Sequence, residues 1–348
     1  VFKDLTIQEL LEARKNKKIT LIDVRSPSEY KTATIPGSIN IPIFTDEERG
    51  EIGTIYKQVN VEAAKERGLE IVSAKLPQFI KEFSMLEGDR VVFCWRGGMR
   101  SKTSATVVDL MGIPVSRLQG GVRSYRRWVV KALEESNFTQ DAFVLNGYTG
   151  SGKTTILRRL KKQGFPVLDL EQMANHRGSI FGQIGLTPNN QKMFEALLIE
   201  EMQGLENSPY FLIEAESQRI GKIMLPQWIM DKKENGIQFF IDMPLEIRAL
   251  NILEEYRPWE HAEECMISFQ KIKRRIHTPI AAQIEKDLEL GRYESAVQML
   301  LAYYYDPRYE HTASQYPKEK QMRLKVSNIE EAANAIRELM DSKLKIRQ

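Results

Sequence analysis

The stretch Gly147-Tyr148-Thr149-Gly150-Ser151-Gly152-Lys153-Thr154 decides how the C-terminal part of the chain folds. It fits the pattern G-x-x-x-x-G-K-[ST]. In such a loop the glycines let successive backbone N–H groups surround a phosphate, the lysine adds a point charge and the final hydroxyl can ligate a magnesium ion. The motif needs a strand before it and a helix after it. Upstream lies the apolar run Ala142-Phe143-Val144-Leu145, and residues 154–163 downstream carry apolar side chains at helical spacing. Both conditions are met, which a chance glycine-rich turn would not achieve.

Working outward, further apolar strands are expected at residues 166–170, 210–213 and 237–241, with helices between them, so this region reads as an α/β unit starting at Asp141. The strand at 210–213 runs into Glu214, where a P-loop protein places a carboxylate for magnesium or water positioning. The segment 171–179 follows the second strand, and its His176 and Arg177 are candidate substrate contacts. Beyond residue 244 the composition turns to long charged helices, with Tyr303, Tyr304 and Tyr305 at the end of one and a lysine-rich tail after it.

The first third has the same rhythm. Residues 19–24 and 90–93 are short β-branched runs, and residues 7–14 and 101–111 have helical periodicity, a pattern that favours a mostly parallel sheet. The strand at 90–93 ends in Cys94-Trp95-Arg96-Gly97-Gly98-Met99-Arg100-Ser101, which leads straight into a helix. In this position backbone N–H groups and the positive helix end, aided by Arg100, form an anion cradle that also favours the reactive thiolate. Gly97 and Gly98 permit the tight path. The polar stretch 131–140 separates the halves. The expected organisation is therefore a domain at 1–131, a linker at 132–140, a P-loop domain at 141–258 and a helical extension at 259–348.

The chain has 348 residues and 42% apolar content, enough for two domains with their own cores. No stretch approaches the roughly 20 apolar residues that span a bilayer, and the N-terminus lacks a basic region followed by an apolar run. With only Cys94 and Cys265, a disulfide scaffold is not expected, and a cytoplasmic location is. His176, His261, His277 and His311 are scattered, so no zinc site or other permanent metal is expected. The net charge of +3 conceals basic clusters at Arg123, Arg126 and Arg127, at Arg158, Arg159, Lys161 and Lys162, and at Lys271, Lys273, Arg274 and Arg275. The first and last are candidate contacts to a nucleic-acid backbone. Charge alone equally describes solvated helix faces.

The N-terminal region resembles the rhodanese family. The resemblance rests on Asp23-Val24-Arg25-Ser26-Pro27-Ser28-Glu29-Tyr30, Ile35-Pro36-Gly37-Ser38-Ile39-Asn40, the Cys94 loop, and Leu118-Gln119-Gly120-Gly121 through Trp128. Thr34 stands where a histidine is common in the family. Five residues separate Cys94 from Arg100, one more than in the common sulfurtransferase loop; this wider spacing is shared with rhodanese-related phosphatases. A wider cradle suits a phosphate-like chalcogen donor such as selenophosphate.

The two loops together, and the segment 171–179, resemble the tRNA 2-selenouridine synthase family across nearly the whole chain. The resemblance implies replacement of sulfur by selenium in wobble 2-thiouridine of tRNA, with selenophosphate as donor and a geranylated intermediate made from geranyl diphosphate. It also implies that Cys94 is the chalcogen-handling nucleophile, with the loop through Arg100 holding the donor's phosphate. The P-loop then takes a diphosphate, that of geranyl diphosphate or of ATP or GTP, with Mg2+. Trp95 is a candidate platform for a flipped base or a packing residue of the loop. Three other readings stay open: a persulfide sulfurtransferase coupled to a nucleotide-dependent step, a phosphatase fused to a kinase, and a nucleotide-gated RNA-binding module. The sequence leaves the oligomeric state open.

Overall fold

A computed structural model describes residues 2–136, 138–308 and 321–347. They form two compact units, one made of residues 1–136 and 192–199 and the other of the remainder.

The first unit is built on five strands, β1 (Lys3–Leu5), β2 (Ile19–Asp23), β3 (Ile39–Asn40), β4 (Asp89–Phe93) and β5 (Val115–Leu118), in the order β1-β5-β4-β2-β3. All pairings are parallel. Such a sheet needs both faces covered, and the inner strands are correspondingly short apolar runs. Ile22, Val92, Phe83, Ala105 and Val108 are buried in one cluster with Cys94. Between β3 and β4 the chain makes two helices that periodicity alone had not marked, Asp46–Gln58 and Val61–Ser84. Each has a clear start. The Thr45 hydroxyl accepts from the Glu48 N–H while Glu48 accepts from the Thr45 N–H, and the Asn60 side chain accepts from the Ala63 N–H at 2.7 Å. The closing helix, Gly121–Glu134, runs into the expected linker at 132–140 because Ala132-Leu133-Glu134 are strong helix formers.

The second unit has a five-stranded parallel sheet in the order β12-β11-β6-β8-β7. Its strands are β6 (Asp141–Gly147), β7 (Val167–Leu168), β8 (Tyr210–Glu214), β11 (Ile237–Asp242) and β12 (Gln321–Lys325), and a small hairpin, β9 (Arg219–Ile220) with β10 (Ile223–Met224), lies outside it. The strands expected around 166, 210 and 237 are all present.

The boundary expected at residue 258 is not a boundary of this sheet. Strand β12 pairs with β11 from Gln238↔Gln321 to Asp242↔Lys325, and Val326, Ala332, Ala333, Ile336 and Met340 join the core of Leu145, Ile156, Leu212 and Phe239. The polar side chains that alternate with Met322 and Leu324 in Gln321-Met322-Arg323-Leu324-Lys325 had disguised an edge strand as a tail. The helical part of the C-terminal region lies before it, where Phe269, Ile272, Ile284, Ala296 and Leu300 form a separate cluster.

Candidate active site

Cys94 follows the C-terminal end of the central strand β4, and helix Met99–Leu110 begins five residues later. The thiol is almost fully buried, and its Sγ lies 3.2 Å from the Ser101 Oγ in the first turn of that helix. The loop's path is set from outside by the family-like Gly120-Gly121 turn. Val122 N–H donates to the Cys94 carbonyl at 2.9 Å, and Arg123 N–H donates to the Trp95 carbonyl at 3.0 Å. Gly121 has φ +55°, and a Cβ there would sit 2.0 Å from the Cys94 carbonyl oxygen. Gly97 has φ +65°, and a Cβ on it would lie 2.8 Å from the Gly120 nitrogen. No side chain fits at either contact.

The arginine expected in the cradle is held elsewhere. Arg100 donates to both carboxylate oxygens of Glu29, at 3.1 Å through Nη2, and this ion pair lowers the Glu29 pKa against the effect of its burial. The residue that organises the loop is Arg117 on β5. Its Nη1 donates to the Gly97 carbonyl at 3.1 Å, while Nε and Nη2 grip Asp4 at 2.7 and 2.6 Å. Hydrogen bonding to Asp4 raises the Arg117 pKa, and attraction to Cys94 adds to it. The Arg117 guanidinium thereby sets a fixed positive charge against the Gly97 carbonyl of the Cys94 loop. Arg96 and Met99 face solvent, and Trp95 is 40% exposed with the Arg25 guanidinium 6.0 Å from its ring.

In the second unit the loop after central strand β6 has the expected form. Gly147, Gly150 and Gly152 all take positive φ, and helix Lys153–Lys162 starts directly after them. Lys153 Nζ donates to the Gly147 carbonyl at 3.1 Å, and the fully buried Ser151 hydroxyl has no hydrogen-bond partner among the described residues. Three residues that the sequence did not single out brace the loop. Arg248 donates to the Thr149 carbonyl at 3.2 Å and is paired with Asp306 at 2.8 and 2.9 Å, and Asn251 donates to the Gly150 carbonyl at 2.8 Å. Arg248 also lies 5.0 Å from the Tyr148 ring.

Glu214 ends β8 beside β6, in register with Leu145. It belongs to a cluster with Glu171 and Glu216 in which one carboxylate oxygen from each lies within 4.8 Å of the others. Thr154 Oγ1 donates to Glu171 at 2.8 Å, so the cluster adjoins the phosphate loop. One Glu214 oxygen is buried without a hydrogen-bond partner among the described residues. Burial, followed by repulsion from Glu214 and Glu216, pushes the Glu171 pKa up to about 10, and burial with repulsion from Glu216 pushes Glu214 up to about 8. Three crowded acids with an orphaned oxygen are a fitting donor set for a hard divalent cation. The sequence had pointed to Glu214 alone; Glu216 stands two residues after it, and Glu171 meets the pair only through the fold.

His176 and Arg177 are structural neighbours of this cluster. The His176 ring is buried, which with Arg177 lowers its pKa, and it packs where a Cβ on Gly182 or Gly221 would collide with it. Arg177 donates to the Ile184 carbonyl at 2.8 Å, pairs with Glu255 at 3.2 Å and stacks 4.7 Å from the Tyr256 ring. Gly178 brings the segment against the acids, since a Cβ on it would lie 2.8 Å from Glu216 and 2.9 Å from Glu171.

The basic clusters are partly neutralised. Arg126 pairs with Glu195, and Lys273 pairs with Glu285 at 2.6 Å, whereas Arg123, Arg127, Lys271, Arg274 and Arg275 are exposed. Arg158 is tied to Asp169 at 2.9 Å and Lys161 to Glu201 at 2.7 Å. Cys265 is buried, which with Glu264 pushes its thiol up to about 11; His261 holds Glu264 at 3.0 Å, and His311 lies outside the described residues. No described helix is long and apolar enough to cross a membrane.

A cysteine loop on a parallel α/β sheet and a phosphate loop on another define the class: a rhodanese-like domain joined to a P-loop domain. Residues 6–127 match the rhodanese-like domain family, and residues 140–341 match the tRNA 2-selenouridine synthase AAA domain. A tRNA 2-selenouridine synthase of Bdellovibrio bacteriovorus is 32% identical, the match covering 84% of this chain and 88% of that one. Those of Nitrosomonas europaea, at 35% over 68% and 63%, and Nitrosomonas eutropha, at 29% over 83% and 87%, are similar too. The chain belongs to the tRNA 2-selenouridine synthase family.

Proposed function

We propose that the chain is a tRNA-modifying transferase that makes 2-selenouridine from wobble 2-thiouridine in two stages, alkylation of the sulfur followed by its exchange for selenium. The observation that carries this reading is the division of labour between the loops. One offers a buried nucleophile, Cys94, at a helix N-terminus, and the other offers phosphate recognition beside a carboxylate cluster but no nucleophile. Geranyl diphosphate is the alkyl donor and selenophosphate the selenium donor. Alkylation turns a thiocarbonyl sulfur into a thioether, which leaves as an alkyl thiolate rather than as sulfide when the selenium of selenophosphate bonds to C2, and water then attacks phosphorus, breaks the P–Se bond and releases phosphate.

In this reading Cys94 handles the chalcogen, and the N–H groups of residues 95–101, with the field of Arg117, hold the donor's phosphate. The backbone of residues 147–154 and Lys153 hold the diphosphate. ATP or GTP offers the same groups, so titration of the full chain with each ligand identifies the occupant. Thr154, Glu171 and Glu214 would hold Mg2+, which supplies charge neutralisation to the diphosphate. The exposed arginines at 123 and 127 and the basic turn at 271–275 contact the tRNA backbone. The cytoplasm, where tRNA is found, is the place of action.

Nucleoside analysis tests the whole reading. The purified chain, given 2-thiouridine tRNA and geranyl diphosphate, should yield geranylated 2-thiouridine, and adding selenophosphate should convert it to 2-selenouridine. Thiosulfate-dependent persulfide formation alone, or hydrolysis of an aryl phosphate alone, would replace this reading with a sulfurtransferase or a phosphatase.

A pH dependence follows from the raised carboxylates. Without a cation, Glu171 and Glu214 are protonated at neutral pH, because their folded pKa values of about 10 and 8 lie above the ordinary carboxylate value. The unfolded chain binds fewer protons there, so the cation-free fold loses stability as pH rises through that range. Mg2+ must displace these protons, so its affinity should rise between about pH 6 and pH 9 with proton release on binding. Calorimetry in two buffers of different ionisation enthalpy measures both. Glu214→Gln should flatten the dependence, and a pH-independent affinity in the unmodified chain would refute the cation site.

A further inference from the structure

A groove on the first unit has no part in the chemistry above. Helices Asp46–Gln58 and Val61–Ser84 enclose an open groove of about 980 Å3 whose lining is predominantly apolar, with Ile52, Tyr56, Val61, Leu69 and Met99 among its walls. Met99 and Arg100, the first two residues of the helix behind the Cys94 loop, also line it. Several of its apolar side chains face solvent, including Tyr56 at 59%, Leu69 at 68% and Met99 at 61% exposure.

Two observations say what such a groove takes. The first is that three glycines within the two helices, Gly50, Gly53 and Gly68, all line it. Glycine inside a helix costs about 1 kcal/mol relative to alanine, so open space here is kept against helix propensity. A Cβ on Gly50 would meet no heavy atom within 4 Å, which places this glycine beside empty volume and not against a packed neighbour. The second is the charge of the border. Lys57 and Lys65 line the groove together with Arg49 and Arg100, the last two paired with Glu29 outside it, and no Asp or Glu is among its lining residues. The complementary ligand has a hydrocarbon chain for the apolar walls and is attached to an anionic body for the rim.

We propose that this groove binds the hydrocarbon chain of the S-alkylated tRNA while selenium replaces the alkylated sulfur at the Cys94 loop. The proposal rests on the two-stage reading above and adds where the chain of the intermediate is held. An alkyl chain lying in the groove, with the base beside Met99, sets the thioether beside the cradle. The RNA phosphates supply the anionic body that the basic rim matches. The groove thereby favours the alkylated substrate over unmodified 2-thiouridine tRNA, because only the former buries hydrocarbon.

The test uses the full chain, selenophosphate, and two RNA probes, geranylated and plain 2-thiouridine tRNA. Gly50→Trp fills the groove, and Gly50→Ala keeps it open while favouring the helix. The groove-filled variant should raise KM for selenation of geranylated tRNA about tenfold, the scale of losing burial of one or two methylenes, and leave the Kd for plain 2-thiouridine tRNA unchanged. Gly50→Ala should behave as the unmodified chain. Circular dichroism and thermal unfolding check that Gly50→Trp folds, and Leu69→Asp, at a solvent-facing wall, repeats the test by polarity in place of volume. If the unmodified chain prefers geranylated tRNA and both groove variants keep that preference, the groove proposal is overturned while the two-stage reading stands. If the unmodified chain shows no such preference and makes no geranylated nucleoside, the two-stage reading itself fails.

Discussion

Cys94→Ser should abolish formation of 2-selenouridine, with a fall of at least about a thousandfold in turnover, and leave geranylation of 2-thiouridine intact. The reason is geometric and chemical at once. The substitution is nearly isosteric at a position only 3% exposed, and a hydroxyl 3.2 Å from Ser101 can form the same contact, so the loop keeps its shape. What is lost is the sulfur nucleophile itself, since a serine hydroxyl cannot take over the chalcogen chemistry of a cysteine. Liquid chromatography of digested tRNA, with each donor supplied separately, reads the two stages independently. Retained selenation would remove Cys94 from the mechanism, and loss of both stages would mean that the loops do not divide the work as proposed.

Lys153→Ala should have the mirror-image effect. Affinity for the diphosphate ligand should fall about a hundredfold, the scale of a charge-assisted hydrogen bond to phosphate, and geranylation should fall with it. Selenation of tRNA that already carries the geranyl group should proceed at the unmodified rate. Losing the Lys153 bond to the Gly147 carbonyl leaves the loop braced by Arg248 and Asn251, which hold the Thr149 and Gly150 carbonyls. Thermal unfolding should therefore move little. Calorimetric titration with geranyl diphosphate, ATP and GTP, in variant and unmodified chain, both measures the loss and names the ligand. Equal affinity in both proteins would exclude this loop as the diphosphate site.

The contrast between the two variants also shows what was legible in the residues alone. Both loops could be read because each is contiguous: a strand, a short glycine-bearing turn and a helix, all within about a dozen residues. The parts that escaped are those that the fold assembles from far apart. Arg117 reaches Gly97 only because β5 lies beside β4, and its Asp4 partner is 113 residues away. In the sequence Arg100 was the nearer and more natural cation, but Glu29, 71 residues upstream, takes it. Glu171 is an ordinary acid until the parallel pairing of β7 with β8 brings it to Glu214 and Glu216. Arg248 and Asp306 meet across 58 residues and carry no local signature at all.

The sheet of the second unit has a consequence for the order in which the protein can be made. Its outer strand, β12, and the helix after it come from residues 321–347, and Ile329 lies where a Cβ on Gly152 would stand 2.7 Å from its Cγ1. During synthesis the Gly147–Thr154 segment emerges well before these residues do, so the nascent chain carries a phosphate loop without its final support and leaves the β11 edge unpaired. The N-terminal unit, whose sheet is complete once β5 has appeared, can fold first on the ribosome. The sheet of the second unit closes only when β12 pairs with β11, so until then the β11 edge is open to mispairing.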